Sequence, residues 1–363
     1  MNMHARAGFH GSYRPDDVTF LLERIEMPST DVDTKERLIQ AGERHYSEMI
    51  TREGAPDPAY LAIYRQALDA GARRMGREVA ALALAIAAEA TGPVVLASLV
   101  RAGVPLGVLL RRALAELGVA VHHYGISIIR DRGLDARAME HVVGRHGTDN
   151  LFFVDGWTGK GAITTELEKD FRRLYGIDPR LVVLADPAGR AWLAASGDDW
   201  LIPSGILGST VSGLISRSVL NDHVVALGGY HGCVEWDHLR GLDMSREFVD
   251  IVWAHADAEL RETRPAVWTG EDTARHRGLA SAAVAWVRTV ASVENDNRIK
   301  PGIAEATRAI LRRKPEKVFV RSLTDPDLRA LVHLARNAGV PLEVQPETIA
   351  PYRAITLIEK KAP

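Results

Sequence analysis

Cysteine is almost absent from this sequence, because Cys233 is the single cysteine among 363 residues. One thiol cannot form an intramolecular disulfide or a cysteine-rich zinc site, which agrees with a reducing compartment. Long apolar runs are missing too, since the most hydrophobic stretches, within residues 79–110, are interrupted by Glu89, Pro93 and Arg101. The N-terminus also lacks a signal-peptide core. We therefore expect a cytoplasmic protein without a membrane span.

A strong excess of one charge is missing as well, since 45 Lys and Arg face 47 Asp and Glu. The balance is uneven along the chain, because residues 300–363 carry 12 basic residues against 7 acidic ones. A basic C-terminal segment on an acidic body is typical of nucleic-acid binding, although a solvated basic surface explains it equally well. The apolar fraction of 46% and the charged fraction of 25% are those of an ordinary globular protein.

Short apolar runs alternate with helix-like segments after residue 92, which predicts a parallel sheet with helices on both faces. The strand-like runs are residues 93–98, 119–129, 151–154 and 181–185. Ligands bind such sheets beyond the carboxyl ends of the strands. Turns rich in charge or glycine follow these ends, at residues 98–103, 130–135, 155–161 and 186–189. We expect the four turns to converge on one site.

The remaining segments are predicted from helical spacing. Residues 1–20 are interpreted as an arm, and residues 35–50 as a helix. Residues 60–90 are interpreted as two helices separated near Gly71 and Gly76. The helix expected over residues 106–117 should have Arg111 and Arg112 facing outward. Three regions result: a main domain over residues 1–255, a helical connector over 256–299 and a C-terminal α/β module over 300–363.

The most informative stretch is NLFFVDGWTGKGAITTEL, residues 150–167. A buried strand is followed by Asp155, a glycine-rich loop and a helix. The backbone N–H groups of such a loop, the positive end of the helix dipole and Lys160 favour an anion. A nucleoside-triphosphate P-loop would need a longer spacing and a Ser or Thr where Gly161 follows Lys160, which argues against a kinase. An ordinary turn between strand and helix remains an alternative.

A second chemical candidate lies near residue 233. His231 and Cys233 suggest a cysteine protease. No third catalytic group is identifiable beside His231 and Cys233, so the pattern favours this interpretation only weakly.

Seven stretches together resemble the phosphoribosyltransferase-like family encoded in bacterial tellurium-resistance and stress gene clusters, a family also labelled StiP or cysteine protease. They are HYSEM, SLVRAGVPLGVLLRR, HYGISIIRDRGLD, FVDGWTGKGAI, LADPAG, IPSGILGSTVSGLISRS and KPGIAEATRAILRR. The resemblance covers nearly the whole chain. It implies an α/β fold of the type I phosphoribosyltransferase kind and a C-terminal module similar to the RNA-binding domain of Pelota.

The resemblance implies a pentosyltransferase that moves ribose 5-phosphate from phosphoribosyl pyrophosphate to a nitrogenous base, in the synthesis of a nucleoside-like metabolite. Mg²⁺ would be bound through the pyrophosphate of the substrate. RNA is a further expected partner, and a homo-oligomer is left open. Because Gly156 stands where a second acidic residue is usual, a non-catalytic nucleotide- or RNA-binding stress protein is an alternative. A cysteine protease using Cys233 is another.

The resemblance also implies roles for individual residues. The catalytic residues would be Asp155, Arg101, Arg130 and Arg132. The 5-phosphate would bind Thr158, Gly159, Lys160, Gly161, Ala162 and Ile163. Pyrophosphate would bind Ser98, Arg101, Ala102 and Gly103, and the acceptor would meet Asp186, Ser209, Thr210 and Ser212. RNA would contact Lys300, Arg308, Arg312 and Arg313, and a non-proline cis peptide is expected near Arg101 or Ala102.

Overall fold

Two sheets of different construction organise the chain, in a computed structural model that describes residues 9–225 and 228–360. Within these residues the helices are α1 Val32–Gln40, α2 Pro58–Glu89, α3 Gly103–Glu116, α4 Ala136–His146, α5 Ala162–Tyr175, α6 Ser245–Glu259, α7 Gly270–Val290, α8 Ile303–Arg312 and α9 Arg329–Asn337. The strands are β1 Thr19–Phe20, β2 Glu23–Arg24, β3 Val94–Leu99, β4 Val121–Ile126, β5 Ile128–Ile129, β6 Gly133–Leu134, β7 Leu151–Val154, β8 Leu181–Ala185, β9 Leu193–Ser196, β10 Gly232–Cys233, β11 Ile299–Pro301, β12 Pro315–Val320, β13 Leu342–Val344 and β14 Ala354–Ile358.

The larger sheet has the order β1-β4-β3-β7-β8-β9, and all its pairings are parallel. Successive side chains of its central strands point to opposite faces. Helices cover both faces, so these strands are buried on both sides. Val94 and Leu96 pack in one cluster with α2, α3 and α6. Val95 and Ala97 pack in another with α4 and α5. The expected parallel sheet flanked by helices is therefore confirmed.

The smaller sheet has the order β11-β14-β12-β13 and lies in the C-terminal part of the chain. Only the β12–β13 pairing is parallel, while β14 pairs antiparallel with both β11 and β12. A small C-terminal sheet domain is therefore confirmed. The predicted boundaries after residues 255 and 299 stay a prediction, and residues 1–8, 226–227 and 361–363 of the predicted regions lie outside the described residues.

The prediction of two helices over residues 60–90 is wrong, because α2 is one helix of 32 residues. The glycines that suggested a break serve close packing instead. A Cβ on Gly76 would lie 2.6 Å from Cβ of His255 and 2.8 Å from the backbone N of Ala256, both on α6. Gly71 would similarly meet Pro203 at 3.1 Å. Glycine at these positions lets neighbouring segments approach a continuous helix.

Two further local predictions are wrong. The helix expected over residues 35–50 ends at Gln40, and a short 3₁₀ turn follows at Tyr46–Glu48. Arg112 does not face outward, because its guanidinium donates from Nε and Nη2 to the two carboxylate oxygens of Asp17 at 2.9 Å. Asp250 accepts a third bond from Nη1 at 2.7 Å. A buried arginine needs such partners, which sequence periodicity does not reveal.

The C-terminal module is fixed to the larger domain by a polar junction. The buried carboxylate of Asp199 accepts hydrogen bonds from the backbone N–H groups of Ile303 and Arg353 at 2.8–3.1 Å. The Arg353 guanidinium pairs with Asp198 at 2.9 Å and with Asp327 at 2.6 Å. These bonds place the first turn of α8 against the carboxyl edge of the parallel sheet.

Gly103→Ala should destabilise the protein by about 1–3 kcal/mol, because overpacking forces the backbone to shift. A Cβ at this position would lie 2.0 Å from the carbonyl oxygen of Val154. Urea denaturation monitored by circular dichroism measures the change. The matched control is Gly144→Ala in α4, where a Cβ meets nothing within 4 Å. That substitution should stabilise by about 0.5–1 kcal/mol, and equal effects of the two would contradict the packing argument.

Candidate functional site

Two turns meet where the strand order of the parallel sheet reverses. β3 lies between β4 and β7, so the connections that leave β3 and β7 diverge and open a crevice at their carboxyl ends. The turn after β3 contains a cis peptide bond between Val100 and Arg101, as expected. The turn after β7 begins at Asp155, and Gly103 lies directly against the end of β7.

A cleft of about 720 Å³ occupies this edge of the sheet. Both turns line it, so Arg101, Asp155 and Lys160 share one cavity. The first residues of α5, Ala162 and Ile163, also line it. The N–H groups in the first turn of a helix have no partner within the helix, and they favour negative charge. Arg101, Asp155 and Lys160 were among the residues predicted to meet at one site, and they do lie around one cavity.

The C-terminal module forms the opposite wall of the cleft. The four basic residues predicted to bind RNA all line it: Lys300, Arg308, Arg312 and Arg313. Arg308 and Arg312 are four residues apart on α8 and share one helix face. The Arg308 guanidinium lies 4.5 Å from the centre of the Trp157 ring. Arg313 pairs with Glu36, whereas Arg312 has neither a salt bridge nor a hydrogen bond among the described residues.

The module also contacts the glycine-rich loop directly. The Tyr352 hydroxyl donates to the carbonyl oxygen of Gly159 at 2.9 Å. Lys160 donates from Nζ to the backbone carbonyl of Asp296. These contacts join the loop of one domain to the other domain, so the cleft exists only while the two are docked.

Positive charge dominates the cleft. Its walls carry eleven Lys and Arg side chains against five Asp and Glu. Burial, with neighbouring cations adding to it, lowers the pKa values of Lys35, Lys160 and Lys300 to about 8. Burial and three neighbouring guanidinium groups lower the pKa of Arg312 to about 9, although Glu53 acts in the opposite direction. Cations held this way are unfavourable without an anion, so the cleft is electrostatically prepared for a negatively charged ligand.

Two carboxyl groups at the cleft and its border have pKa values shifted in opposite directions. Burial raises the pKa of Asp155 to about 7, although the N–H of Gly156 donates to Oδ1 at 2.8 Å. Burial alone would raise the pKa of Glu53 as well, but Arg101 and its neighbours hold it at about 2. Arg101 donates from Nη1 to Glu53 at 2.8 Å and to the carbonyl of Ile215 at 2.9 Å. Arg101 is therefore already partnered, while Asp155 can exchange a proton near neutral pH.

Several residues with predicted roles do not line the cleft. Among the described residues these are Ser98, Gly103, Arg132, Asp186, Ser209, Thr210 and Ser212. Ser98 is fully buried, with Oγ 2.7 Å from Nε2 of His123. Asp186 accepts from the backbone N–H groups of Arg190 and Ala191 and from the hydroxyl of Thr158, so it fixes a turn. These side chains shape the loops around the cleft.

Sequence reasoning missed three residues that form the cleft or its border. Trp157 stands inside the predicted loop, where an aromatic residue among glycines was the available signal. Glu53 and Arg217 had no such signal. Arg217 donates to the backbone carbonyl of Tyr46 at 2.7 Å and also to that of Met49. Both residues acquire their place through contacts more than 45 residues away along the chain.

Cys233 lies away from the cleft, in a strand pair between β10 and β2. Its side chain is fully buried, and burial, with Glu235 adding to it, raises the pKa of the thiol to about 12. His231 directs Nδ1 toward the hydroxyl of Ser127 at 2.8 Å. A cysteine nucleophile requires an accessible thiolate next to a base. In this conformation neither condition is met.

Fold and cleft define a two-domain α/β protein with a cationic cavity between its domains. A family model described as "Tellurite-like stress resistance cysteine protease StiP" matches residues 11–253, and the chain belongs to this StiP family. A model of the PELOTA RNA binding domain matches residues 279–360. A curated relative from Acinetobacter baylyi, named Cysteine protease StiP, is 48% identical over 366 residues, which cover 98% of this chain and 95% of the relative.

These comparisons overturn the predicted enzyme class. The family and the relative are named for a cysteine protease and for stress resistance, so the assignment as a pentosyltransferase acting on phosphoribosyl pyrophosphate is wrong. Glycine-rich and cationic turns indicate that an anion binds, but they do not specify a reaction. The prediction of a stress-resistance family with a Pelota-like module is confirmed.

Two other findings concern the whole described chain. Within residues 9–225 and 228–360, every helix is too short or too polar to cross a bilayer. Across the same residues, His, Cys, Asp and Glu nowhere form a group of three placed to hold a metal ion. The expected Mg²⁺ therefore stays a prediction, of an ion that would arrive with a ligand.

Lys300→Met should stabilise the free protein by about 1–3 kcal/mol at pH 7, because it removes a partly buried ammonium whose pKa is about 8. The unfolded chain binds the proton up to about pH 10.5, so the gain should shrink as pH rises from 8 toward 10.5. Urea denaturation at pH 7 and 9.5 measures both values. Lys169→Met on the exposed face of α5 is the control and should change stability by less than about 0.5 kcal/mol. A destabilised Lys300→Met protein would contradict the electrostatic argument.

Proposed function

We propose that this protein acts in stress resistance by binding a small phosphorylated ligand in the cleft between its domains. One observation carries the proposal: Arg312 lines the cleft beside three other guanidinium groups, which Glu53 offsets only in part, and it forms no salt bridge among the described residues. A phosphate group would supply the missing negative charge. Guanidinium groups bind phosphate through two parallel hydrogen bonds, which suits Arg308 and Arg312 on adjacent turns of α8.

The size of the cleft supports a small ligand. A volume of about 720 Å³ falls within the range of roughly 300–1,000 Å³ typical of small-molecule sites. The glycine-rich loop at Gly159–Gly161 and the start of α5 add backbone N–H groups of the kind that bind phosphate. The attraction between a phosphate and the cations of the cleft is stronger than in water, because the local dielectric constant is lower.

Two finer assignments belong to the same proposal. The strand order β4-β3-β7-β8 and the loop after β7 support a type I phosphoribosyltransferase-like sheet, as a statement about fold alone. The match to the PELOTA RNA binding domain makes RNA a possible source of the phosphate. Because the basic side chains of α8 face the cleft, RNA would have to reach them there.

Arg312→Gln should weaken binding of ribose 5-phosphate, used as a minimal sugar-phosphate probe, by roughly 10- to 100-fold, since a charge-assisted hydrogen bond contributes about 1.5–3 kcal/mol. Isothermal titration calorimetry on the full chain measures the affinity. Arg336→Gln provides the control, because Arg336 is exposed on α9 and does not line the cleft. No binding of ribose 5-phosphate or inorganic phosphate at millimolar concentration, or equal affinity in Arg312→Gln, would refute the proposal.

Proteolysis is a second candidate, favoured by the names of the family and of the 48% identical relative. Cys233 is the chain's single cysteine, so it would have to be the nucleophile. Since the thiol is fully buried in the main apolar cluster, cleavage would require that packing to open. The catalytic base would have to be brought to the thiol in the same movement.

In the folded protein, iodoacetamide should alkylate Cys233 on the order of 100-fold more slowly than in urea, because burial suppresses the thiolate. Mass spectrometry of timed samples measures the rates. Any peptide hydrolysis by the purified chain should disappear in Cys233→Ser, which should stay folded because the side chains are similar in size. Hydrolysis that persists in Cys233→Ser would eliminate cysteine protease activity.

A further inference from the structure

A second cavity of about 380 Å³ adjoins the cleft. Part of its wall is apolar or aromatic, formed by Ile50, Pro56, Tyr60, Ile206, Leu207 and Trp236. The Tyr60 hydroxyl donates to the carbonyl of Ile206 at 2.8 Å, which fixes the ring against the segment that contains Ile206. An apolar wall of this kind favours a planar or hydrophobic group over a second phosphate.

The two cavities share a wall of guanidinium groups. Arg101, Arg217, Arg308 and Arg312 line both. Arg101 and Arg217 are already bound to Glu53 and to backbone carbonyls. Arg308 and Arg312 form no salt bridge among the described residues, so their hydrogen-bond donors remain for a ligand. A phosphate bound to them would lie at the boundary between the two spaces.

Two side chains in the wall of the second cavity, Trp236 and Arg308, carry a buried polar atom without a partner among the described residues. Trp236 is only 8% exposed, and its indole Nε1–H has no hydrogen-bond acceptor among the described residues. A buried donor without an acceptor costs free energy, which a ligand can recover by supplying one. A heterocyclic base offers ring nitrogens or carbonyl oxygens as acceptors, whereas an aliphatic chain offers none.

We infer that the two cavities form one bipartite site for a 5′-nucleotide, with the phosphate on Arg308 and Arg312 and the base in the second cavity beside Trp236. This inference rests on the proposed function, since it specifies the ligand of the same cleft. Residues of the C-terminal module bind the phosphate, while segments before and after the parallel sheet enclose the base. The nucleotide is either a free nucleoside monophosphate or the 5′-phosphorylated end of an RNA.

The experiment compares adenosine 5′-monophosphate with ribose 5-phosphate by isothermal titration calorimetry on the full chain. The base should strengthen binding at least roughly tenfold, the effect typical of one stacked base. Leu311→Trp should remove this difference by filling the second cavity, which Leu311 lines, and should leave the affinity for ribose 5-phosphate unchanged. Leu323→Trp is the control, because Leu323 is similarly exposed, at 44% against 47% for Leu311, and lines neither cavity.

Trp236→Phe is a second variant, which keeps the ring volume approximately and removes the N–H. It should weaken binding of adenosine 5′-monophosphate several-fold and leave ribose 5-phosphate unaffected. A 5′-phosphorylated tetra-adenylate and its 5′-hydroxyl form identify the source of the nucleotide. Tighter binding of the phosphorylated oligomer than of the monophosphate assigns the site to RNA ends, and the reverse order assigns it to free nucleotides.

Equal affinities of unmodified protein for adenosine 5′-monophosphate and ribose 5-phosphate would overturn the inference and leave the proposed function intact. This ratio decides the matter even if a variant fails to fold. Absence of binding by ribose 5-phosphate is the different result that refutes the proposed function itself.

Discussion

The junction between Asp199 and the C-terminal module determines where the module's cations lie. Its carboxylate accepts the backbone N–H of Ile303, at the start of α8, and that of Arg353, at the start of β14. Burial raises the pKa of Asp199 to about 7, so the bonds hold a group that would otherwise avoid the interior. With α8 fixed there, Arg308 and Arg312 line the cleft. The anion-binding character of the cleft thus depends on domain docking as much as on either domain alone.

Docking imposes an electrostatic cost that the fold offsets locally. Arg101 is neutralised by Glu53 and Arg313 by Glu36, and Lys160 is bonded to a backbone carbonyl. Arg312 forms no salt bridge among the described residues, and Glu53 offsets its neighbouring cations only in part. Functional sites commonly contain such incompletely compensated groups, because an interaction that is fully satisfied in the free protein has nothing left to offer a ligand.

Local patterns in the sequence predicted the strand, loop and helix around Asp155, and these elements agree with the structure because each depends on neighbours in sequence. The glycines of α2 were wrongly interpreted as a helix break. Gly76 is required because it packs against His255, a residue far along the chain. Glu53 reaches the site only through Arg101 and the hydroxyl-rich segment near Ser209. Position in the cleft is a property of tertiary packing, and a single sequence does not record it. The reaction of a site depends on all of its residues together, which is why one loop with the pattern of a phosphate-binding loop led to the wrong enzyme class.

The family name and the cleft refer to different parts of the molecule. Cys233 belongs to a two-stranded pair with β2 and lines neither cavity, whereas the cations belong to α8 and to the turns of the parallel sheet. The thiol is covered by the main apolar cluster, so exposing it requires that packing to open. The cleft is bordered by a module that polar bonds of Asp199 and Arg353 hold in place. Since apolar packing covers the thiol and polar bonds hold the module, exposure of Cys233 and opening of the cleft should respond differently to substitution.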